Sequence, residues 1–527
     1  MATFGSSSES LYDRLAEKLP HGSTFTFHHI STPPTKCDPL FAPPPGRKPE
    51  RTYCESHFLT VSGSKDGKRL LLFAIEVLVF TTKRSTTIFV SKADSTGCLA
   101  ALQLPKGGGA SLIRSTASEM LAWLVERRQR PRIRCMLSLF ARAQGQYLFP
   151  RSVENKGKHV LDDRQLVKWW CKTLDPVLRR ERTESTSQAY VIVPGFDKGE
   201  TTTFFPPSWR QDPTSQRKWQ FGHPLDIITS NPNVPPRCLV PRFPDDPKSR
   251  YLDELDEEIP DSQGGRSTAS PSKKGNGMWR TVKTLSQFWD HMAFRQECSS
   301  GRMVGFIWVV FTPADVDSQI DDDNASVFSS PGSPYLGSFD MPSISEVMSQ
   351  DSQSSTKSTS RERTRKPLSG AILPRAPKIK KVSSTLSVTS QPEESSFFKW
   401  PESSRGQVVL EKSDYDRIHD LLLKLDFSTD DASAQSTAKW LEEAATILGG
   451  SSKWGQEVAG KMQAVALQNG GTTNGTASQP NDLSASIVRK KRKAGDVQPD
   501  VQTREQNDTP AVNVLGAGMI RKKPKVK

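Results

Sequence analysis

The 527 residues of the chain carry a formal net charge of +14, and only 35% of them are hydrophobic. Ten positive charges lie in two clusters, residues 489–493 and 521–527, so the remaining chain is nearly balanced and a broad nucleic-acid-binding face is not indicated. No apolar run reaches the ~18 residues of a membrane helix. The seven cysteines lack C-x-x-C spacing and the histidines lack H-E-x-x-H, which argues against a disulfide framework and a metal site.

Taken in chain order, the clearest strand signal is a pair of apolar segments, residues 53–61 and 70–82. They flank Asp66-Gly67, a favoured hairpin pair. The second segment is apolar on both faces except at Glu76, so it should lie centrally in a covered sheet, and Glu76 should need a buried partner. The other predicted strands span residues 24–27, 86–91, 133–140, 189–193, 303–311 and 408–410.

Helical spacing of apolar residues alternates with these strands and predicts a mixed α/β fold with one central sheet. Segments 70–80 and 303–311 are both apolar on two faces, and we expect them to be neighbours in the middle of that sheet. A capping box at Thr284 predicts a helix to about Cys298, and Ser413 should cap a later helix. The other predicted helices span residues 11–19, 111–127, 161–178, 247–259 and 436–448.

Shifts in composition divide the chain into four parts. Residues 8–312 form the main part of the predicted domain, with long loops between its elements. Residues 313–395 are rich in Ser, Asp, Pro and Lys and predict a disordered insertion. Order should return in residues 396–465 as the far end of the same domain, and residues 466–527 predict a disordered basic tail.

The segment 242–250, Arg-Phe-Pro-Asp-Asp-Pro-Lys-Ser-Arg, allows two readings. As a helix start, Asp246 is a suitable N-cap, and Pro247 fits the first helical position because its missing N–H needs no partner there. As a site, the carboxylates of Asp245 and Asp246 lie within one turn of the Lys248 ammonium. The readings are compatible, since a capping residue can also line a site.

Residues 91–97 are small and hydroxyl-bearing and follow an apolar strand, so they are either a loop that admits a ligand to the backbone or an ordinary turn. Trp209 and Trp219 precede Asp245 in a stretch of little periodicity. They are either core residues or the lining of a channel for the aliphatic stem of a lysine.

Several segments together resemble a fungal histone acetyltransferase family that was named as a regulator of Ty-element transposition. The resemblance covers most of residues 8–312 and then residues 397–448. The family's fold is similar to that of the CREB-binding-protein acetyltransferases, which implies acetyl-CoA against the sheet and a tunnel for the substrate lysine. The matching segments are residues 53–58, 90–97, 157–161, 169–170, 245–250 and 294–297.

The resemblance also implies roles for individual residues. Asp246 resembles the family's catalytic aspartate, with Asp245 and Trp219 as further catalytic candidates, and Lys248 resembles a lysine that the enzyme acetylates on itself. The pyrophosphate signature [RQ]-x-x-G-x-[GA] of other acetyltransferases is absent, so phosphate contacts stay unassigned. Implied acetyl-CoA contacts are Ala93, Asp94, Ser95, Thr96, Gly97, Leu102, Gln103, Leu104, Pro105, Lys106, Ile192, Phe196, Ser208, Trp209, Arg210 and Trp219.

By the same resemblance, the expected substrate is histone H3 in the H3–H4 dimer, chiefly a lysine of its αN helix and secondarily tail lysines. Chaperones of the anti-silencing and nucleosome-assembly types are the expected partners, in replication-coupled nucleosome assembly and the DNA damage response. The basic clusters predict nuclear import. Two alternatives stay open: a non-enzymatic chromatin adaptor on the same scaffold, and a DNA-binding protein that works through its tail.

Overall fold

An eleven-stranded mixed sheet forms the centre of the structure, a computed structural model that describes residues 9–45, 47–102, 104, 112–182, 185–228, 234–259, 278–295, 302–315, 391–448 and 454–463. The predicted α/β class, with helices flanking a central sheet, is confirmed. The strands are β1 (Thr24–Ser31), β2 (Thr35–Cys37), β3 (Thr52–Lys65), β4 (Lys68–Thr81), β5 (Ser85–Ser95), β6 (Arg134–Arg142), β7 (Ser185–Ile192), β8 (Trp219–Phe221), β9 (Val304–Pro313), β10 (Val408–Val409) and β11 (Gln456–Ala459).

The strands follow the order β10-β1-β3-β4-β5-β6-β9-β7-β8, with β2 paired to β3 and β11 to β1. The predicted hairpin is confirmed: β3 and β4 are antiparallel around Asp66 and Gly67, both with positive φ. The expectation that β4 and β9 are neighbours was wrong, because β5 and β6 lie between them. Apolar residues on both faces mark a central strand in a covered sheet, but they do not specify its partner.

Helices cover both faces of the sheet. Helices α1, α2 and α3 pack on the core that includes Val77, Val90 and Val309, whereas the alternate residues Phe89, Phe306 and Trp308 face the opposite side. No helix in the described ranges is long and apolar enough to cross a membrane. The helices are α1 (Leu11–Lys18), α2 (Leu112–Arg128), α3 (Asp163–Arg179), α4 (Lys198–Thr202), α5 (Pro207–Gln211), α6 (Ser249–Glu257), α7 (Leu285–Met292), α8 (Lys412–Leu422) and α9 (Asp430–Ile447).

The C-terminal described segments join the same sheet. Strand β10 pairs parallel with β1 and β11 pairs antiparallel with it. Helices α8 and α9 bury Tyr415, Ile418 and Trp440 against Phe58 and neighbouring residues on one face. All described residues lie in one compact unit, Met1–Ala466, while the proposed domain boundaries remain predictions.

Several predicted boundaries differ from the structure. Helix α7 has the predicted Thr284 capping box but ends at Met292. The residue before α8 is Glu411, not Ser413, and α9 begins six residues earlier than predicted, where Thr429 caps it. Glu411 forms no side-chain cap, so the sequence gives no capping signal at the start of α8, whereas the cap by Thr429 is an ordinary signal that the interpretation missed. The predicted disordered insertion and tail fall almost wholly outside the described residues.

Candidate active site

The segment with two adjacent carboxylates lies on the face of the sheet opposite helices α1–α3. Phe243 anchors it by stacking on Phe89 of β5, with ring centroids 4.1 Å apart. Asp246 is not the N-cap of α6, because the helix begins at Ser249 and Lys248 holds the cap position. Instead the Asp246 side chain accepts from the Lys248 backbone N–H at 2.9 Å, the bond of an Asx-turn.

The side chains of Asp246 and Lys248 form a buried ion pair. The Lys248 Nζ lies 2.5 Å from Asp246 Oδ2, and both side chains are at most 3% exposed. The same oxygen accepts from the Phe243 backbone N–H at 3.3 Å. The ammonium also lies 5.2 Å from the ring centroid of Phe306, within cation–π range. The chain therefore holds a lysine ammonium between the Asp246 carboxylate and the Phe306 ring.

A second ion pair lies beside the first. Asp245 has a left-handed backbone with φ of 54°, and its exposed carboxylate lies 3.1 Å from the Lys92 Nζ. Lys92 also reaches Glu76 at 3.4 Å. Tyr415 of α8 donates its hydroxyl to the other oxygen of Glu76 at 3.0 Å, which confirms that Glu76 needs a buried partner.

The predicted ligand loop at residues 91–97 is largely strand. Ala93, Asp94 and Ser95 continue β5 and pair with β4. A β-bulge at Ser91 absorbs one residue and lets the pairing go on, so the expectation of a loop was wrong. The chain leaves the strand only at Gly97, whose φ is 92°; a Cβ there would lie 2.5 Å from the Lys158 backbone nitrogen.

The Asp94 carboxylate is engaged by the protein itself. One oxygen accepts from the backbone N–H groups of Tyr147, Leu148 and Phe149 at 2.7, 2.9 and 3.2 Å. The other lies 2.8 Å from the Lys158 Nζ, whose side chain is 5% exposed. Because the Asp94 side chain already binds the loop after β6, we expect Asp94 to contact acetyl-CoA through its backbone.

The edge of β5 suits an amide-bearing ligand. Strand β6 pairs with β5 only from Ser85 to Phe89, so residues 90–95 have no strand partner on that side within the described chain. Acetyl-CoA carries two amide groups in its pantetheine arm, and such groups pair with a free strand edge as an added strand does. The unpaired strand edge and the tight turn at Gly97 therefore fit this co-substrate.

A further group of implied acetyl-CoA contacts gathers around Asp175 of α3. The Ser208 hydroxyl and the Trp219 indole donate to its two carboxylate oxygens at 2.7 and 2.9 Å. The Trp209 indole donates to the Trp219 carbonyl at 3.1 Å, and Arg210 is on the same short helix, α5. Trp219 is 1% exposed and belongs to the core on the α1–α3 face. The structure does not bring its indole to Asp246, so its catalytic role stays a prediction.

The remaining candidates are dispersed. Ile192 belongs to the core on the Asp246 face, whereas Phe196 packs with the opposite core. Leu102 lies over Gly63 of β3, where a Cβ would approach it to 2.7 Å, and Leu104 packs against the same core as Phe196. Thr96 is buried and donates its hydroxyl to the Leu71 carbonyl. Gln103, Pro105 and Lys106 lie outside the described residues.

Sequence reasoning missed three charged residues that organise these groups: Lys92, Lys158 and Asp175. Lys92 and Lys158 lie inside segments that carry the family resemblance. The resemblance therefore pointed to these segments but not to the residues that the two lysines contact. Asp175 gave no signal, because an acidic residue inside an amphipathic helix normally faces solvent.

Comparison with known proteins identifies the family to which the chain belongs. The chain matches the Histone acetyltransferase KAT11-type domain over residues 11–136 and 129–443. It is 40% identical to the histone acetyltransferase rtt109 of Aspergillus flavus, covering 98% of this chain and 99% of that protein. It is 31% identical to the rtt109 of Schizosaccharomyces pombe over 56% of this chain and 69% of the relative.

A solved structure is similar as well. The crystal structure of Rtt109 from Aspergillus fumigatus superimposes with a TM-score of 0.66 at 39% identity and covers 86% of this chain and all of that one. The family match spans well over half of the chain, and the first relative is matched along nearly its whole length. The chain therefore belongs to the KAT11-type histone acetyltransferases, enzymes that transfer acetyl from acetyl-CoA to histone lysines.

Proposed function

We propose that this acetyltransferase modifies lysines of histone H3 within the H3–H4 dimer, mainly a lysine of the H3 αN helix and secondarily tail lysines, and that Asp246 is its central catalytic group. The observation that supports the site is the buried pair of Asp246 with Lys248, because a carboxylate that holds an internal lysine ammonium can bind a substrate lysine in the same way. Asp245 and the acetyl-CoA contacts along β5 complete the proposed site.

The chemistry is the attack of a neutral amine on a thioester. Acetyl-CoA supplies the acetyl group as a thioester: the new N–C bond forms, the C–S bond breaks, and the proton released by the amine balances the thiolate that leaves. Free lysine has an ammonium pKa of about 10.4, so the site must also favour loss of a first proton from the ammonium before the neutral amine attacks. A buried carboxylate such as Asp246 orients the amine and stabilises the positive charge that grows on its nitrogen.

Lys248 is the proposed site of self-acetylation. Its ammonium neutralises Asp246 and occupies the position against Phe306. Acetylation would remove that charge, since an amide carries none, and would leave the Asp246 carboxylate available to a second ammonium. The proposal thus gives the modification a physical effect: it exchanges an internal lysine for the substrate lysine.

The proposed setting is the nucleus, with chaperones of the anti-silencing and nucleosome-assembly types presenting H3–H4 during replication-coupled assembly and the DNA damage response. Support comes from the two basic clusters at residues 489–493 and 521–527, which suit nuclear import and attraction to acidic chaperone surfaces.

The test is mass spectrometry of H3–H4 incubated with the enzyme, acetyl-CoA and each chaperone type. We expect acetylation at the αN lysine above that of tail lysines, and a loss of both in Asp246→Asn. Absence of H3 acetylation with every chaperone would reject the substrate. The alternative, a non-enzymatic adaptor, predicts H3–H4 binding without turnover.

A further inference from the structure

Lys92 is a charged residue beside the proposed site to which neither the family resemblance nor the proposed chemistry gives a role. It lies in β5, directly opposite Glu76 of β4. Its ammonium bridges the Glu76 carboxylate at 3.4 Å and the Asp245 carboxylate at 3.1 Å. It thus joins the central sheet to the segment that carries Asp246.

A β-bulge decides which way Lys92 points. Val90 pairs with Val77 and faces the α1–α3 core, and strict alternation would send residue 92 to that same face. The register shifts by one residue at Ser91, so Lys92 pairs with Glu76 instead and faces the Asp245 side. A one-residue bulge re-aims a side chain in this way, and bulges are frequent next to active sites.

Asp245 has a backbone conformation that such a partner can favour. Its φ of 54° lies in the left-handed region, which few residues with a Cβ adopt and aspartate adopts more readily than most. Its side chain is 70% exposed, so solvent screens its ion pair with Lys92. The contact therefore favours one conformation of the peptide unit that directly precedes Asp246 by only a few fold.

Helix α8 contacts Glu76, the residue that joins Lys92 to strand β4. Tyr415 donates to Glu76 at 3.0 Å, and the His419 Nε2 lies 3.9 Å from the same oxygen. Burial alone would raise the pKa of Glu76, but His419 and Lys92 outweigh it and the pKa is lowered. Burial alone would lower the pKa of Lys92, but Glu76 and Asp245 reverse this, so Lys92 stays an ammonium.

We propose that Lys92 is a positioning residue that holds Asp245 in its left-handed conformation and so aims the Asp246 carboxylate, and that the C-terminal helix α8 sustains this through Tyr415 and Glu76. The inference rests on the proposed catalytic role of Asp246. It makes the segment after residue 391 a contributor to turnover as well as to the fold.

The experiment compares Lys92→Met and Lys92→Arg in the full-length chain with acetyl-CoA and H3–H4. We expect Lys92→Met to lower kcat by about fivefold, equivalent to roughly 1 kcal/mol in the barrier, with KM for acetyl-CoA unchanged within about twofold. Lys92→Arg should recover most of the loss, because it keeps the charge. The matched control is Lys68→Met on β4, which removes an exposed ion pair with Asp431 and should leave kcat unchanged.

A double-mutant cycle decides whether Lys92 acts through Asp245. In an Asp245→Asn background, Lys92→Met should change kcat by less than about twofold, since its target is gone. An equal loss in both backgrounds, or no loss in either, would overturn the proposal. Tyr415→Phe removes the hydrogen bond to Glu76 without removing a charge and should lower kcat about threefold. If Lys92→Met fails to fold, an unchanged kcat in Tyr415→Phe overturns the proposal.

The two proposals fail separately. Full turnover by Asp246→Asn would reject the catalytic site, whatever Lys92 does. A collapse of turnover in Asp246→Asn together with normal kcat in Lys92→Met and Tyr415→Phe would reject only the positioning role.

Discussion

Replacing Asp246 with asparagine separates the chemical role of the carboxylate from its structural role. The side-chain oxygen of the asparagine can still accept from the Lys248 backbone N–H, but its amide NH₂ would face two donors, the Phe243 N–H and the Lys248 ammonium. Breaking one side of a buried ion pair costs about 3–5 kcal/mol. We therefore expect Asp246→Asn to lower the free energy of unfolding by that amount and turnover by about 100- to 1000-fold.

The double variant Asp246→Asn with Lys248→Gln removes the unpaired ammonium, so most of the lost stability should return. Turnover should stay low, because the charge that stabilises the attacking amine is still missing. Denaturant unfolding measures the first quantity, and acetyl transfer to H3–H4 at saturating acetyl-CoA measures the second. The single variant Lys248→Gln is the control. Recovery of turnover to within about tenfold in the stable double variant would show that Asp246 only neutralises Lys248.

Four further predictions concern the rest of the chain. Burial lowers the pKa of His28 to about 3 from an unfolded value near 6.5. The contribution of His28 to the free energy of unfolding is therefore complete above pH 6.5 and falls by about 2 kcal/mol by pH 5. The free energy of unfolding measured over this pH range should change less for His28→Phe than for the unchanged chain. Asp175→Ala removes the acceptor of the Trp219 indole and should raise KM for acetyl-CoA about threefold or more with kcat nearly unchanged; an unchanged KM would place acetyl-CoA elsewhere. Deleting residues 318–390 should leave the melting temperature and basal activity nearly unchanged, because so polar a segment buries little, and a large loss of stability would contradict this. Truncation after Pro480 should mislocalise a tagged protein and weaken chaperone binding most at low salt, while turnover on a saturating H3 peptide stays the same; a nuclear truncated enzyme with normal chaperone binding would refute it.

Local signals in the sequence identified most elements. Alternation and the Asp66-Gly67 pair predicted β3 and β4, and the capping box at Thr284 predicted the start of α7. These succeeded because each depends on a few adjacent residues. The Asp246 cap failed for a related reason: an aspartate before a proline is equally suited to an Asx-turn, which Asp246 forms here, and the helix begins only at Ser249.

What the sequence determined by itself was the α/β class, the strand and helix types, and the segment that holds Asp245, Asp246 and Lys248. The partners of these residues were decided by the tertiary structure. The strand order separated β4 from β9, the bulge at Ser91 turned Lys92 toward Asp245, and α8 brought Tyr415 to Glu76 across more than 300 residues of chain. Periodicity shows which face of an element is buried, but pairing and charge compensation depend on residues distant in sequence, which local patterns do not encode.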